Sequence, residues 1–225
     1  MDSLKRKYFS WHITSSVIVV AIIALFCQFL WFPAPFLQID GTWFALLILA
    51  TVDITLGPLL TLLLVSSKKS IRDLTLDMSV ILVIQISALG YGLTQIEQER
   101  TYAIVHLDGV FNLVAKKEIA KLQLIAKQRL PKYQGIYYAM VVNSDLPSHT
   151  TTSKRPLLYS PERFKLISKK SMKGSQFPYQ KLPADVKEQY NENYIFKLLA
   201  GKNRHGLLVF NNDLKLIDIL LLPKQ

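Results

Sequence analysis

Three long apolar runs occupy the first 96 residues and constrain the fold more than any other feature. They cover residues 13–32, 43–65 and 78–96. A helix of about 20 residues, rising ~1.5 Å per residue, crosses the ~30 Å hydrocarbon core of a bilayer. The charged residues between positions 13 and 96 are Asp40, Asp53, Lys68, Lys69, Arg72, Asp73 and Asp77. The sequence therefore predicts three transmembrane α-helices in a membrane module over residues 1–96.

Two of these runs allow another interpretation. Three bases at positions 5–7 precede the first run, as in a signal peptide. The run is longer than the ~7–15 residues of a signal core, and "PAPF" follows it, which favours an anchor that is not cleaved. The third run is shorter and carries Gln85, Gly90 and Gly92. A buried soluble helix is the alternative there, but two neighbouring spans favour a membrane helix.

The distribution of bases predicts the orientation of the spans. Lys5, Arg6 and Lys7 precede the first span, and Lys68, Lys69 and Arg72 lie in the loop 66–77 between the second and third. The loop between the first and second spans has no base. Because bases are enriched in cytoplasmic loops, we expect the N-terminus and the loop 66–77 in the cytoplasm. Residues 97–225 then lie outside, which in a bacterial inner membrane means the periplasm.

Residues 97–225 have the pattern of a small α+β domain with an antiparallel sheet plus helices. Two β-rich runs flank Asp108-Gly109, and two more flank residues 211–213; both patterns predict hairpins. An amphipathic helix is predicted over 116–130, a strand over 135–143 and an exposed polar loop over 144–155. A short strand over 163–168 and a helix over 182–193 complete the predicted domain.

Motifs of catalysis or cofactor binding are missing from the sequence. The four histidines lack metal-binding spacing, and the single cysteine, Cys27, lies in an apolar run. There is no nucleophile elbow, phosphate-binding loop or dinucleotide-binding glycine pattern. The net charge of +11 comes mostly from residues 97–225, and we interpret it as a solvated basic surface because no nucleic-acid motif accompanies it. We therefore expect a binding protein with no catalytic residue, cofactor, metal or nucleic-acid partner.

The second span contains unusual polar features. Asp53 lies near its middle, where an ionised carboxylate costs about 3 kcal/mol, so such residues usually face a partner or a wet cavity. Pro58 frees the carbonyl of Ile54, and Gly57 permits close approach of another helix. Together they predict a dock for a partner helix. In the alternative interpretation, Asp53 is bonded within the chain, to one of Thr51, Thr55, Gln28 or Gln85.

Several segments resemble the TfpX/TfpZ family of type IV pilin accessory proteins. They are "VDITLGPLLTLLL", "KKSIRDLTLD", "VIQISALGYGL" and "ERTYAIVHLDGVFNLV", which together cover about half the chain. The resemblance implies a multi-pass inner-membrane protein that acts on its cognate pilin and influences pilus assembly.

This resemblance leads to a hypothesis about partners. The spans would bind the apolar helix of a type IV pilin near Asp53, Gly57, Pro58 and Gln85, and residues 97–225 would contact the pilin head. A membrane-anchored sensor that signals through the loop 66–77 is the alternative. A small transporter is disfavoured by the few spans and the absence of inverted repeats.

Overall fold

The protein folds into two compact units. The computed structural model describes residues 3–66, 68–119, 122–141, 155–172, 174 and 176–223. The membrane unit comprises Met1–Trp31 and Thr42–Glu97, and the sheet unit comprises Phe32–Gly41 and Gln98–Gln225. The segment Phe32–Gly41, here named the strap, joins the first two apolar runs and yet folds with the C-terminal part of the chain.

Four helices precede the first strand. They are α1 (Ser3–Phe26), α2 (Phe36–Asp40), α3 (Trp43–Leu64) and α4 (Ile71–Glu99), and α1 continues as a π-helix over Cys27–Trp31. Among the described residues, α1 with its π-helical extension, α3 and α4 are long and apolar enough to cross a membrane. The predicted fold class is confirmed, since these three apolar helices are followed by a sheet-rich domain with helices. The protein is membrane-anchored.

The third membrane helix begins earlier than the sequence pattern predicts. It begins at Ile71, so most of the predicted loop 66–77 is helical. Ser70 explains this start, because its Oγ accepts a hydrogen bond from the amide of Asp73 at 3.2 Å. A serine at this position caps the free amides of a first helical turn. Hydropathy marks where a helix enters hydrocarbon, whereas capping marks where the helix itself begins.

The sheet unit is built on one eight-stranded sheet in the order β3-β4-β1-β2-β6-β7-β8, with β5 pairing with β4. The strands are β1 (Thr101–Leu107), β2 (Val110–Ala115), β3 (Lys132–Tyr133), β4 (Ile136–Val141), β5 (Phe164–Lys165), β6 (Ile195–Ala200), β7 (Gly206–Phe210) and β8 (Leu216–Leu221). The short helices α5 (Leu122–Lys127), α6 (Lys169–Met172) and α7 (Ala184–Gln189) lie between them in sequence.

Both predicted hairpins are confirmed. β1 pairs with β2 and β7 pairs with β8, each pair antiparallel. Asp108 and Gly109 have φ of 50° and 91°, which a two-residue hairpin turn of this type requires. The helix predicted over 116–130 is replaced by a 3-10 turn at Lys116–Glu118 and by α5. The loop predicted over 144–155 lies outside the described residues, apart from Arg155.

The sheet is mixed, where the sequence pattern predicts antiparallel pairing throughout. β1 runs parallel to β4, and β2 runs parallel to β6. A hairpin forms from two strands joined by a short local turn. Two parallel strands instead need a long crossover connection, so the paired strands lie far apart in the sequence. β6, which no local signal identified, therefore joins the two hairpins into one sheet.

Both faces of the sheet are buried. Alternate residues of one strand belong to different cores, as in β7, where Leu208 and Phe210 lie in one cluster and Leu207 and Val209 in another. The first cluster includes Phe36 and Ile39 of the strap, both fully buried. The strap is thus part of the hydrophobic core of the sheet unit.

Hydrogen bonds fix the strap to the edge of this core. The amide of Asn203 donates to the carbonyl of Ile39 at 3.0 Å, and its side-chain amide donates to the carbonyl of Gln38 at 3.0 Å. Thr101 donates through its hydroxyl to the Asp40 carboxylate. The strap is therefore bonded both to β1 and to the 201–204 turn, two parts of the sheet unit that lie about 100 residues apart in the sequence.

A close approach of backbone also holds the strap. A Cβ added to Gly201 would lie 2.2 Å from Cγ2 of Ile39, so this position has room only for glycine. The side chain of Asp40, the residue after Ile39 in the strap, is half-buried. Burial raises its pKa to about 6, with smaller contributions from the negative Glu99 and Glu118, while Thr101 and the positive Lys202 act in the opposite direction.

We expect the stability of the sheet unit to fall as the pH rises from about 4 to about 6. The folded state holds the Asp40 proton more tightly than the unfolded chain, so ionisation opposes folding. Asp40→Asn should remove this component, because the amide oxygen still accepts from Thr101 and does not ionise. Thermal unfolding of the full chain in detergent, followed by circular dichroism across this pH range, measures the effect. Asp213→Asn, at an exposed position, should keep the wild-type profile; the same profile in both variants would contradict the role of Asp40.

Candidate functional site

The polar residues of the membrane unit converge on one point of α3. Gly57, Pro58 and Thr61 are its buried residues, and α3 continues as a helix through Pro58. A Cβ added to Gly57 would lie 2.0 Å from Nε2 of Gln85 on α4 and 2.8 Å from Nε2 of His12 on α1. Gly57 is therefore the place where side chains from all three membrane helices meet.

His12 links the three helices through both ring nitrogens. Nε2 donates to Oε1 of Gln85 at 2.7 Å, and Nδ1 is bonded to Oγ1 of Thr61 at 2.6 Å. Oγ1 of Thr61 also lies 3.0 Å from the carbonyl of Gly57, and its single proton serves either this oxygen or Nδ1 of His12. In hydrocarbon no water replaces these partners, so a bond between helices here resists their separation.

Asp53 lies at the edge of this cluster. Nε2 of Gln85 donates to Oδ1 of Asp53 at 3.4 Å, which is a long hydrogen bond, and Asp53 is half-buried. An ionised carboxylate offers about four acceptor positions. Gln85 thus contacts Asp53 weakly and leaves acceptor capacity on its second oxygen.

The predicted site residues separate into two groups. Asp53, Gly57 and Gln85 are brought together, and Pro58 is buried next to them. The residues predicted to set the topology, Lys68, Lys69 and Arg72, lie elsewhere, around the start of α4, where Nζ of Lys69 lies 2.6 Å from Oδ2 of Asp77. Of the alternatives for Asp53, the bond to Gln85 is the one present.

His12 is the member of this cluster that the sequence did not indicate. Because the four histidines lack metal-binding spacing, His12 was interpreted as a surface or packing residue. In the structure α1 begins at Ser3, so His12 lies more than two turns into the helix. The sequence carried one signal for this, since His12 directly precedes the first apolar run and lies on the same helix. Its partners, however, come from α3 and α4, and only the tertiary structure supplies them.

The cluster consists of groups that form hydrogen bonds to one another. Among the described residues, no group of three or more histidine, cysteine, aspartate and glutamate side chains could hold a metal ion. The cluster instead offers amide, hydroxyl, imidazole and carboxylate groups, all of which form hydrogen bonds. It stabilises the contact between helices and presents Asp53 at the margin of that contact.

A second buried polar residue lies in the sheet unit. Lys197 of β6 is fully buried, and its ammonium donates to the carbonyl of Gly174. Burial lowers the pKa of Lys197. The pKa of the nearby His106 is lowered by burial and by the positive charge of Lys197. Lys197 thus connects β6 to Gly174 through this hydrogen bond and to Gln176 through a β-bridge. We interpret this lysine as structural.

Curated relatives of the chain assign it to a family. A protein named "Fimbrial assembly protein, serogroups C1 and C2" from Dichelobacter nodosus is 33% identical over 109 residues, which are 48% of this chain and 82% of the relative. This chain belongs to the fimbrial assembly protein family.

Two longer family members match this chain over a smaller share of their own length. The fimbrial assembly proteins of serogroups I and E1 from Dichelobacter nodosus are each 31% identical to this chain, over 127 and 128 residues. In both cases the match covers 56% of this chain and 49% of the relative, so the chain spans about half the length of these two proteins. No protein-family model and no solved structure matches the chain.

Substitution of glycine tests the convergence of helices in this fimbrial assembly protein. We expect Gly57→Ala to lower the thermal stability of the detergent-purified protein by several degrees, because its Cβ would displace Gln85 and His12. Gly90→Ala is the matched control, since a Cβ at Gly90 meets nothing within 4 Å and alanine favours a helix. Unfolding temperatures of the two variants give the comparison. Equal temperatures would rule out close packing at Gly57.

Proposed function

We propose that this fimbrial assembly protein is a TfpX/TfpZ-type accessory protein of the bacterial inner membrane. It binds its cognate type IV pilin and modulates pilus assembly without catalysing a reaction. The similarity to named fimbrial assembly proteins carries this proposal, because it links the chain to pilus biogenesis. The three apolar helices and the C-terminal domain supply one surface in the membrane and one outside it.

The strap supports an orientation with the sheet unit in the periplasm. The strap and residues 98–225 fold into one compact unit, and we therefore place both on the same side of the membrane. α3 and α4 then make one crossing each between them, and α1 makes a third. The bases at positions 5–7 and around the start of α4 belong on the cytoplasmic side. The membrane unit thus has a cytoplasmic N-terminus.

The pilin helix, in this proposal, packs along α3 beside Asp53. Gly57 and Pro58 face the other helices of this chain, so the partner helix approaches from a different side. Leu56, three residues after Asp53 and 52% exposed, lies about 60° from it around the helix. A donor on the partner helix would satisfy the second oxygen of Asp53, which Gln85 leaves open.

Site-specific crosslinking tests pilin binding directly. We expect a photo-crosslinking residue at Leu56 to form an adduct with pilin in cells that express wild-type pilin. Thr51 is the matched control, because it is exposed at similar depth but lies about 160° from Asp53 around the helix. Immunoblotting for pilin identifies the adduct. The absence of a pilin adduct from Leu56 would count against a pilin-binding accessory protein.

The role of the Asp53 carboxylate is tested separately. Asp53→Asn preserves the shape of the side chain but removes its charge and half of its acceptor capacity. In a strain lacking the wild-type gene, we expect this variant to restore surface pili less than the wild type does, by several fold. Surface pilin and twitching motility provide the measurement, with protein abundance as the control. Full restoration would remove the carboxylate from the proposed contact but would leave the family role intact.

A further inference from the structure

A narrow groove lies between α1 and α4 in the membrane unit, and Gln85 both lines this groove and bonds to Asp53 of the proposed pilin contact. Its volume is about 410 Å³. It is lined from α1 by Tyr8, Trp11 and His12, and from α4 by Thr75, Ser79 and Gln85. His12 and Gln85 bond to one another at its inner end. The rest of the lining is mostly apolar, and Trp11 is 73% exposed beside it.

The dimensions of the groove fit a hydrocarbon chain better than a helix. On α4 it extends from Leu74 to Gln85, which is about 16 Å at the rise of an α-helix. Spread over that length, its volume corresponds to a cross-section of about 25 Å². An α-helix about 10 Å across occupies about 80 Å². A whole helix therefore does not fit inside the groove and would place only side chains in it, whereas a chain of methylene groups fits along its length.

Helical spacing places two bases beyond the lining of the groove, at its outer end. Lys5 precedes Tyr8 by three residues and His12 by seven, so it lies on the groove face of α1. Arg72 precedes Thr75 by three residues and Ser79 by seven, which places it on the same side of α4. Tyr8 and Trp11 follow within two turns, and such aromatic residues favour the boundary between headgroups and hydrocarbon. This order matches a lipid: charged headgroup, boundary, then acyl chain.

We propose that this groove is a binding site for one anionic phospholipid. Its phosphate and headgroup contact Lys5 and Arg72, and one acyl chain lies between α1 and α4 over Thr75 and Ser79. Two observations carry the choice of ligand. The apolar groove accepts a methylene chain along its length but not a whole helix, and the positive charge at its outer end favours an anionic headgroup over a zwitterionic one. The hydroxyls of Thr75 and Ser79 do not leave an unbonded proton facing the acyl chain, because each donates to a carbonyl of its own helix.

Native mass spectrometry of the full chain tests this site. The protein is transferred to vesicles of equal parts phosphatidylglycerol and phosphatidylcholine, then released and analysed for retained lipid. We expect one tightly retained phosphatidylglycerol per chain. The double variant Lys5→Gln/Arg72→Gln should retain it about 30-fold less, as expected for two bases near a headgroup. Retention should also fall with rising salt, because screening weakens contacts between charges.

Matched variants separate a specific site from general charge. Arg6→Gln/Lys68→Gln removes the same two charges away from the groove face and should retain the lipid as the wild type does. Ser79→Leu keeps every charge but fills the groove, and it should reduce retention.

Three outcomes would overturn the proposal. They are equal loss of lipid in both double variants, equal retention of the two lipids by the wild type, and a protein rather than a lipid adduct from a photo-crosslinker at Ser79. None of these measurements depends on pilin, so their outcome is independent of the pilin crosslinking test.

Discussion

The need to satisfy polar groups without water governs the membrane unit. In hydrocarbon, each polar side chain must find a partner on another part of the protein or lose several kcal/mol. Gly57 allows His12, Gln85 and Thr61 to meet this requirement together, because it has no side chain where they converge. Gly57, which the sequence indicated as a place where another helix can approach closely, is thus the point at which the three membrane helices meet.

The strap has a comparable role in the sheet unit. A segment between two membrane helices contributes Phe36 and Ile39 to the core of a sheet that begins about 60 residues later in the chain. Because the strap continues directly into α1 and α3, the sheet unit is joined to the membrane helices at the strap as well as at α4. The chain thus passes between the two units three times, after Trp31, after Gly41 and after Glu97.

Local patterns predicted the elements whose causes are local. The apolar runs, the Asp108-Gly109 turn and the 211–213 turn each depend on neighbouring residues, and the corresponding helices and hairpins are present. The start of α4 was missed by seven residues because capping by Ser70 extends the helix beyond its apolar run. In the candidate site, the polar side chains of Asp53 and Gln85 and the small size of Gly57 indicated a site from the sequence. The role of His12 could not be predicted, because its partners lie 49 and 73 residues away.

The sequence by itself determined the membrane helices, the sheet-rich domain that follows them and the hairpins, because hydropathy and turn preferences act over a few residues. The tertiary structure decided the parallel pairing of β1 with β4 and of β2 with β6, the insertion of the strap, and the inward orientation of Gly57 and Pro58. Each of these depends on which distant groups fill the same space or complete the same hydrogen bond. Such choices follow from packing the whole chain, and no window of the sequence contains them.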